Sequence, residues 1–242
     1  MRYIPAMARD PSRIIKPITP EGRGRVDAAL EKFGLLLVQG QWEIPSLADL
    51  LEGAPITTKG YSYDYVPAWN LREELCTRPD IALCKLFRGK STLVHQRHWP
   101  LIDSIARMAQ RGVCAGRGGD LPRVMYEVVK AKPGLTGESL KKRLELTGKE
   151  GTAKFRRAKS DLESWLAIVG SEAEEGEGRG HTHDQRWQVW AEGKIARGVT
   201  TPHGEVTLLE AADALMKLTF PEGLPAKAPP MKKLYPLLAL LA

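Results

Sequence analysis

Apolar residues between Leu121 and Trp190 follow helical spacing first and strand spacing last. Leu121, Val124, Met125, Val128 and Val129 recur at i, i+3 and i+4, which predicts one helix with a buried stripe. Pro133-Gly134 ends it. A short helix follows Thr136, with Leu140 and Leu144 on one face. Thr147-Gly148-Lys149-Glu150 has the Thr-x-x-Glu spacing of a capping box and predicts the start of a third helix. That helix buries Phe155, Ala158, Leu162, Trp165 and Leu166. Ala167-Ile168-Val169-Gly170 then leads into a Gly-rich polar tip over 171–180. Arg186-Trp187-Gln188-Val189-Trp190 alternates as a returning strand. Three helices followed by a hairpin make the pattern of a winged helix, which commonly lays its third helix in a DNA groove.

The same reading applies to the N-terminal half. Pro5, Pro11, Pro17 and Pro20 mark an extended arm. A helix follows from about Glu21 to Phe33, with Val26, Ala29, Leu30 and Phe33 inward, and Gly34 stops it. Leu35–Val38 is a short buried strand or tight connection, and a helix begins near Pro45-Ser46. Residues 53–67 read as loop, and Trp69–Thr77 as helix. Ala82–Phe87 and Ser91–Val94 form a hairpin around Arg88-Gly89-Lys90. Trp99, Ile102, Ile105 and Ala109 mark a further helix, and Gly112 to Asp120 a linker. A helix over Val206–Leu218, a Pro-rich connector and an apolar tail complete the chain. The expected class is α+β, mainly helical, built of winged-helix units. The expected division is a basic arm (1–20), a winged-helix-like domain with a hairpin (21–112), a winged-helix domain (120–192), and a C-terminal helix and tail (193–242).

Charge adds a partner to this picture. The formal net charge is +7 over 242 residues. Such an excess favours an anionic partner, nucleic acid before an anionic membrane. The outward face of the third helix of the 120–192 domain carries Lys154, Arg156, Arg157 and Lys159, where recognition helices place their contacts. Arg88 and Lys90 flank a glycine that permits close approach to phosphate. These six cations are the expected nucleic-acid contacts, and double-stranded DNA the expected partner. The acidic tip (Glu172, Glu174, Glu175, Glu177) counts against that wing entering a groove. Cys76, Cys84 and Cys114 form no Cys-x-x-Cys pair and fit reduced thiols in the cytoplasm. The apolar run Leu234–Ala242 is far short of the ~20 residues needed to cross a bilayer. It is expected to dock on the chain's own core or on a second copy, as a homodimer contact; no membrane partner is expected.

Candidate chemistry centres on Gln39-Gly40-Gln41, directly after an apolar strand. Two amides two residues apart on extended backbone point the same way and can hold a water. An amide is no strong base, so the pair suits a reaction with a good leaving group, where orientation supplies most of the catalysis. His181-Thr182-His183-Asp184 has a metal-ligand spacing but lacks companion ligands, so no metal is expected, and no cofactor. Phosphate-loop, dinucleotide and nucleophile-elbow signatures are absent from the sequence, which argues against those three chemistries.

Two segments resemble the AlkZ-type (YcaQ-like) winged-helix DNA glycosylases. One is the first helix with Phe33-Gly34-Leu35-Leu36-Leu37-Val38-Gln39-Gly40-Gln41, similar to the family's helix, glycine, strand and Gln-x-Gln or Gln-x-Asp motif. The other is Ala153–Leu166, a basic helix ending in Trp-Leu before a wing. The likeness implies a monofunctional glycosylase, with Gln39 and Gln41 positioning water against the sugar carbon of an alkylated purine nucleotide. The family enzymes are considerably longer, and Trp42–Leu47 departs from their continuation, as in the short AlkZ-related members. A non-catalytic DNA-binding protein or transcriptional regulator, and a winged helix that binds protein, stand as alternatives.

Overall fold

The computed structural model describes residues 18–39, 44, 46–53, 66–171, 186–201, 203–223 and 230–240. The fold is α+β, mainly helical, with two small antiparallel sheets among the described residues. The expected basic arm, the acidic tip and the His181–Asp184 motif lie outside the described residues, except for the arm's Ile18, Thr19 and Pro20.

The first helix, α1 (Pro20–Phe33), begins where Thr19 accepts from the Gly22 amide and Pro20 supplies a preset φ. It ends at Gly34, whose φ of 68° lies in the left-handed region. A side chain there would be strained and would collide with the His98 ring. Strand β1 (Leu35–Leu37), α2 (Leu47–Glu52), α3 (Val66–Thr77), β2 (Ile81–Phe87) and β3 (Lys90–His95) follow. The sheet order is β1-β3-β2, with Leu36 opposite Leu93 and Leu83 opposite Leu93 on the other side. The apolar Leu35–Val38 segment is thus a paired strand rather than a connection, and all four residues are buried.

After α4 (Trp99–Cys114), a second run repeats that order: α5 (Asp120–Ala131), β4 (Leu135–Thr136), α6 (Gly137–Arg143), α7 (Gly148–Ser164), β5 (Ile168–Ser171) and β6 (Arg186–Val189). Its sheet order is β4-β6-β5, so in both runs the last strand lies in the middle. The C-terminal part contains α8 (Lys194–Gly198), α9 (Leu208–Thr219) and α10 (Met231–Leu234), then a 3-10 turn over Pro236–Leu240.

Several expectations need correction. The buried face of α5 is Pro122, Met125, Tyr126 and Val129, while Val124 faces solvent at 46% exposure. Helix α4 runs on through Gly112, which shortens the linker to the turns between α4 and α5. Strand β4 was not expected, because two residues carry no readable alternation. Thr147 caps α7 by backbone conformation alone, without a side-chain hydrogen bond. Glu150 is instead 2.7 Å from Lys154, one turn on. The complete capping box is at Thr207 and Glu210, at the start of α9.

The β1-β3-β2 sheet separates two apolar clusters, because successive strand residues face opposite sides. Leu36, Val38, Ile81 and Leu93 pack with α1 and α3. Leu35, Leu37, Ala82, Cys84 and Val94 join a larger cluster that continues through α4, α5 and α7 to the tail. Within that larger cluster, Asp103 of α4 is 4% exposed and accepts from the Trp190 indole at 2.9 Å and from Arg107 Nε at 2.8 Å. Lys194 ties α8 to the end of α3 by donating to the Cys76 and Arg78 carbonyls.

The apolar tail docks on the chain's own core. Leu234, Tyr235, Leu237, Leu238 and Leu240 are all buried. Tyr235 and Phe220 both pack edge-on against Phe87, at 5.6 and 5.9 Å between ring centres. Leu240 accepts from Arg117, and its carbonyl would be 2.5 Å from a side chain placed at Gly112. Among the described residues, no helix is long and apolar enough to cross a membrane.

Candidate nucleic-acid interface

Helix α7 turns Phe155, Ala158 and Leu162 into the core, which leaves the opposite side to its charged residues. Lys154, Arg156 and Arg157 are exposed there. Lys154 is the ion-pair partner of Glu150 and holds that carboxyl below its ordinary range. Both groups are open to water, so the lysine stays available to an anion.

Lys159 is placed differently. Its ammonium lies 4.7 Å over the Trp187 ring and 3.8 Å from Glu163. Burial depresses its pKa, against the attraction of Glu163, and the positive charges of Lys85 and Arg156 depress it further. This lysine braces the last strand of its own sheet against α7. The sequence put it with its neighbours because it follows Arg156 by three residues, yet the helix has turned it toward β6.

The Arg88-Gly89 turn closes the hairpin in two residues, with Phe87 opposite Lys90. Arg88 and Gly89 have φ of 49° and 67°, the left-handed geometry that matches strand twist in tight hairpins. Arg88 and Lys90 are both exposed. The turn is held from behind on two sides. The Arg88 amide donates to the Leu234 carbonyl at 2.7 Å, and a side chain at Gly89 would be in contact with Ser164 at 3.5 Å. Beside it, Lys85 is 2.7 Å from Glu163, a carboxylate only 4% exposed. The basic turn is thereby fixed at the C-terminal end of α7, a placement no local pattern encodes.

Gln39 is half-buried, just past β1. The Val38 amide donates to the Ser91 carbonyl at 3.0 Å, continuing the β1–β3 ladder beyond Leu37. Gln39 follows in a bend, beyond the last register pair Leu37–Thr92, at the end of the sheet that carries the basic turn. The chain returns at Ser46, which bridges Leu37. Gln41 lies outside the described residues. No described contact joins Gln39 to Arg156 or Arg157.

Other residues with candidate chemistry serve the fold. Arg97 donates to the Glu31 and Leu30 carbonyls at the end of α1, and His98 Nε2 is 3.2 Å from the Phe33 carbonyl. Burial, with the nearby cation of Arg97 and with His95, keeps His98 below the usual histidine range against the pull of that carbonyl. Arg107 is bound to Asp103, and Arg111 pairs with Glu205 at 3.5 Å. Burial pushes the Cys84 thiol up to about 12, leaving it unreactive at neutral pH. None of the three cysteines is in a disulfide. Among the described residues, no cluster of three His, Cys, Asp or Glu side chains could hold a metal.

Against known families, the AlkZ-related family model matches residues 25–217. The chain therefore belongs to the AlkZ-related family, a family tied by name to DNA-repair glycosylases. Neither the curated proteins nor the solved structures gave a match.

Proposed function

We propose that this is a DNA-binding protein of two winged-helix units, related to DNA-repair glycosylases, which hydrolyses the N-glycosidic bond of alkylated bases. The observation that carries the reading is the position of Gln39 directly after β1, at the sheet end where the antiparallel β3 starts at Lys90. A water-orienting amide at the sheet end that also carries a basic turn, whose cations are able to hold the sugar-phosphate backbone, supports this reading. The shared order of helix, strand, two helices and two strands supports the winged-helix assignment of both units. The exposed Lys154, Arg156 and Arg157 suit α7 to contact double-stranded DNA.

In the proposed reaction Gln39 and Gln41 orient a water toward the sugar carbon; its oxygen bonds to that carbon, the C–N bond breaks with its electron pair going to the base, and the water's spare proton passes to solvent. An N-alkylated purine already carries positive charge and leaves readily, so orientation and charge stabilisation suffice without a strong base. No metal or cofactor takes part. Three cysteines outside any disulfide fit a cytoplasmic setting. A non-catalytic DNA-binding role is the second reading, favoured by the α7 surface, which requires no chemistry at Gln39.

Release of free base from duplex DNA carrying N7-methylguanine is the test. The wild type should release base, and Gln39→Ala/Gln41→Ala should not while still binding the duplex. Release by the double variant at the wild-type rate would remove the glutamines from the mechanism. No release by the wild type, with salt-sensitive DNA binding, would favour the second reading.

A further inference from the structure

We propose that Lys232 and Lys233 join Lys90 in a second phosphate-binding site for the DNA backbone, at the C-terminal end of α7, beyond the mid-helix Lys154–Arg157. This site rests on the DNA-binding reading above and extends it to residues near the end of the chain. Residues 90 and 232 are far apart in sequence, and the tail packing brings them together. The Arg88 amide donates to the Leu234 carbonyl at 2.7 Å, and Tyr235 packs on Phe87. Lys232 and Lys233 immediately precede that contact on α10, and Lys90 follows it on β3. All three lysines are exposed, and no carboxylate pairs with them among the described residues. Of the acidic groups near this layer, Glu163 is buried and occupied by Lys85, and the exposed Glu222, two residues beyond Phe220, sets one negative charge against the three lysines. The outward side of this junction is therefore basic.

Its spacing suits a duplex. Gly89 meets α7 at Ser164, seven to ten residues beyond Lys154–Arg157. At ~1.5 Å per residue this separates the two basic groups by roughly 10–15 Å along the helix. The major groove of B-DNA is ~12 Å wide, so phosphates on either side of a groove match that separation. Two clusters bridged by one rigid helix can therefore hold two backbone positions at once.

The test is DNA affinity measured by fluorescence anisotropy on a short duplex, between 50 and 200 mM salt. Each phosphate contact contributes ~0.9 to the slope of log affinity against log salt. Lys232→Ala/Lys233→Ala should lower that slope by about 1 to 2, and Lys90→Ala by about 1. Lys130→Ala/Lys132→Ala removes the same charge as the Lys232/Lys233 pair from α5 and its end, and should change the slope little. Equal losses in the two double variants would overturn the site in favour of a net-charge effect. A loss for Arg156→Ala/Arg157→Ala alone would overturn this site and leave the DNA-binding reading standing. A wild-type slope near zero would overturn both. Binding to phosphatidylserine vesicles lost in Lys232→Ala/Lys233→Ala, with an unchanged DNA slope, would assign the lysines to a membrane surface and also overturn the site.

Discussion

Asp103 shows how one side chain can join distant parts of the chain. It sits on α4 yet accepts the indole N–H of Trp190, which follows β6. Both residues are buried, so the indole has no water to turn to when its acceptor is removed. Asp103→Ala is expected to destabilise the protein by about 1–3 kcal/mol, the usual cost of an orphaned buried donor. Asp103→Asn keeps an acceptor for the indole and should cost less. The midpoint of urea unfolding at unchanged slope measures both. The aspartate was missed from sequence because it reads as an ordinary polar helix position, and nothing local announces Trp190 as its partner. Gln39 shows the opposite case: its place after an apolar strand was legible, because strand and glutamine are adjacent in sequence. Its position at the same sheet end as the Arg88–Lys90 turn comes only from the antiparallel pairing of β1 with β3.

At the scale of elements, two threonines with the same apparent signal behave differently. Thr147 and Thr207 each precede a helix with glutamate three residues on. At Thr207 both reciprocal hydrogen bonds form; at Thr147 the hydroxyl makes none, and Glu150 is drawn toward Lys154. Thr207→Ala should therefore cost about 1 kcal/mol, whereas Thr147→Ala should be close to neutral. Thermal unfolding of the two variants side by side checks this, and equal losses would contradict the assignment of the box to α9. The periodicity of α7 and the alternation of β6 were readable because each has a strong core face. β4 was not, since its two residues acquire strand geometry only by pairing with Trp187 and Arg186. The stripe on α5 was displaced for a related reason. Val124 is apolar but points away from the partners that α4, α6 and α7 present, while Pro122 and Tyr126 point toward them.

At the scale of the molecule, the tail closes the larger core. Deleting residues 231–242 removes Leu234, Tyr235, Leu237, Leu238 and Leu240 from that core. At about 1.5–3 kcal/mol for each buried side chain, the loss approaches the whole 5–15 kcal/mol net stability of a typical fold. The truncated protein should lose its cooperative unfolding transition. A sharp transition at the wild-type midpoint would show that the tail is dispensable. Hydrophobic periodicity, glycine stops and charge placement were enough to determine the helix-rich class, most elements, the basic face of α7 and the Gln39 strand, because each of those signals is complete within a few neighbouring residues. Tertiary packing alone decided the burial of Lys159 beside Trp187, the Asp103–Trp190 bond, and the junction of the tail with the Arg88–Lys90 turn. Those depend on groups supplied from remote segments, whose meeting is set by the total burial of the core and leaves no local pattern to read.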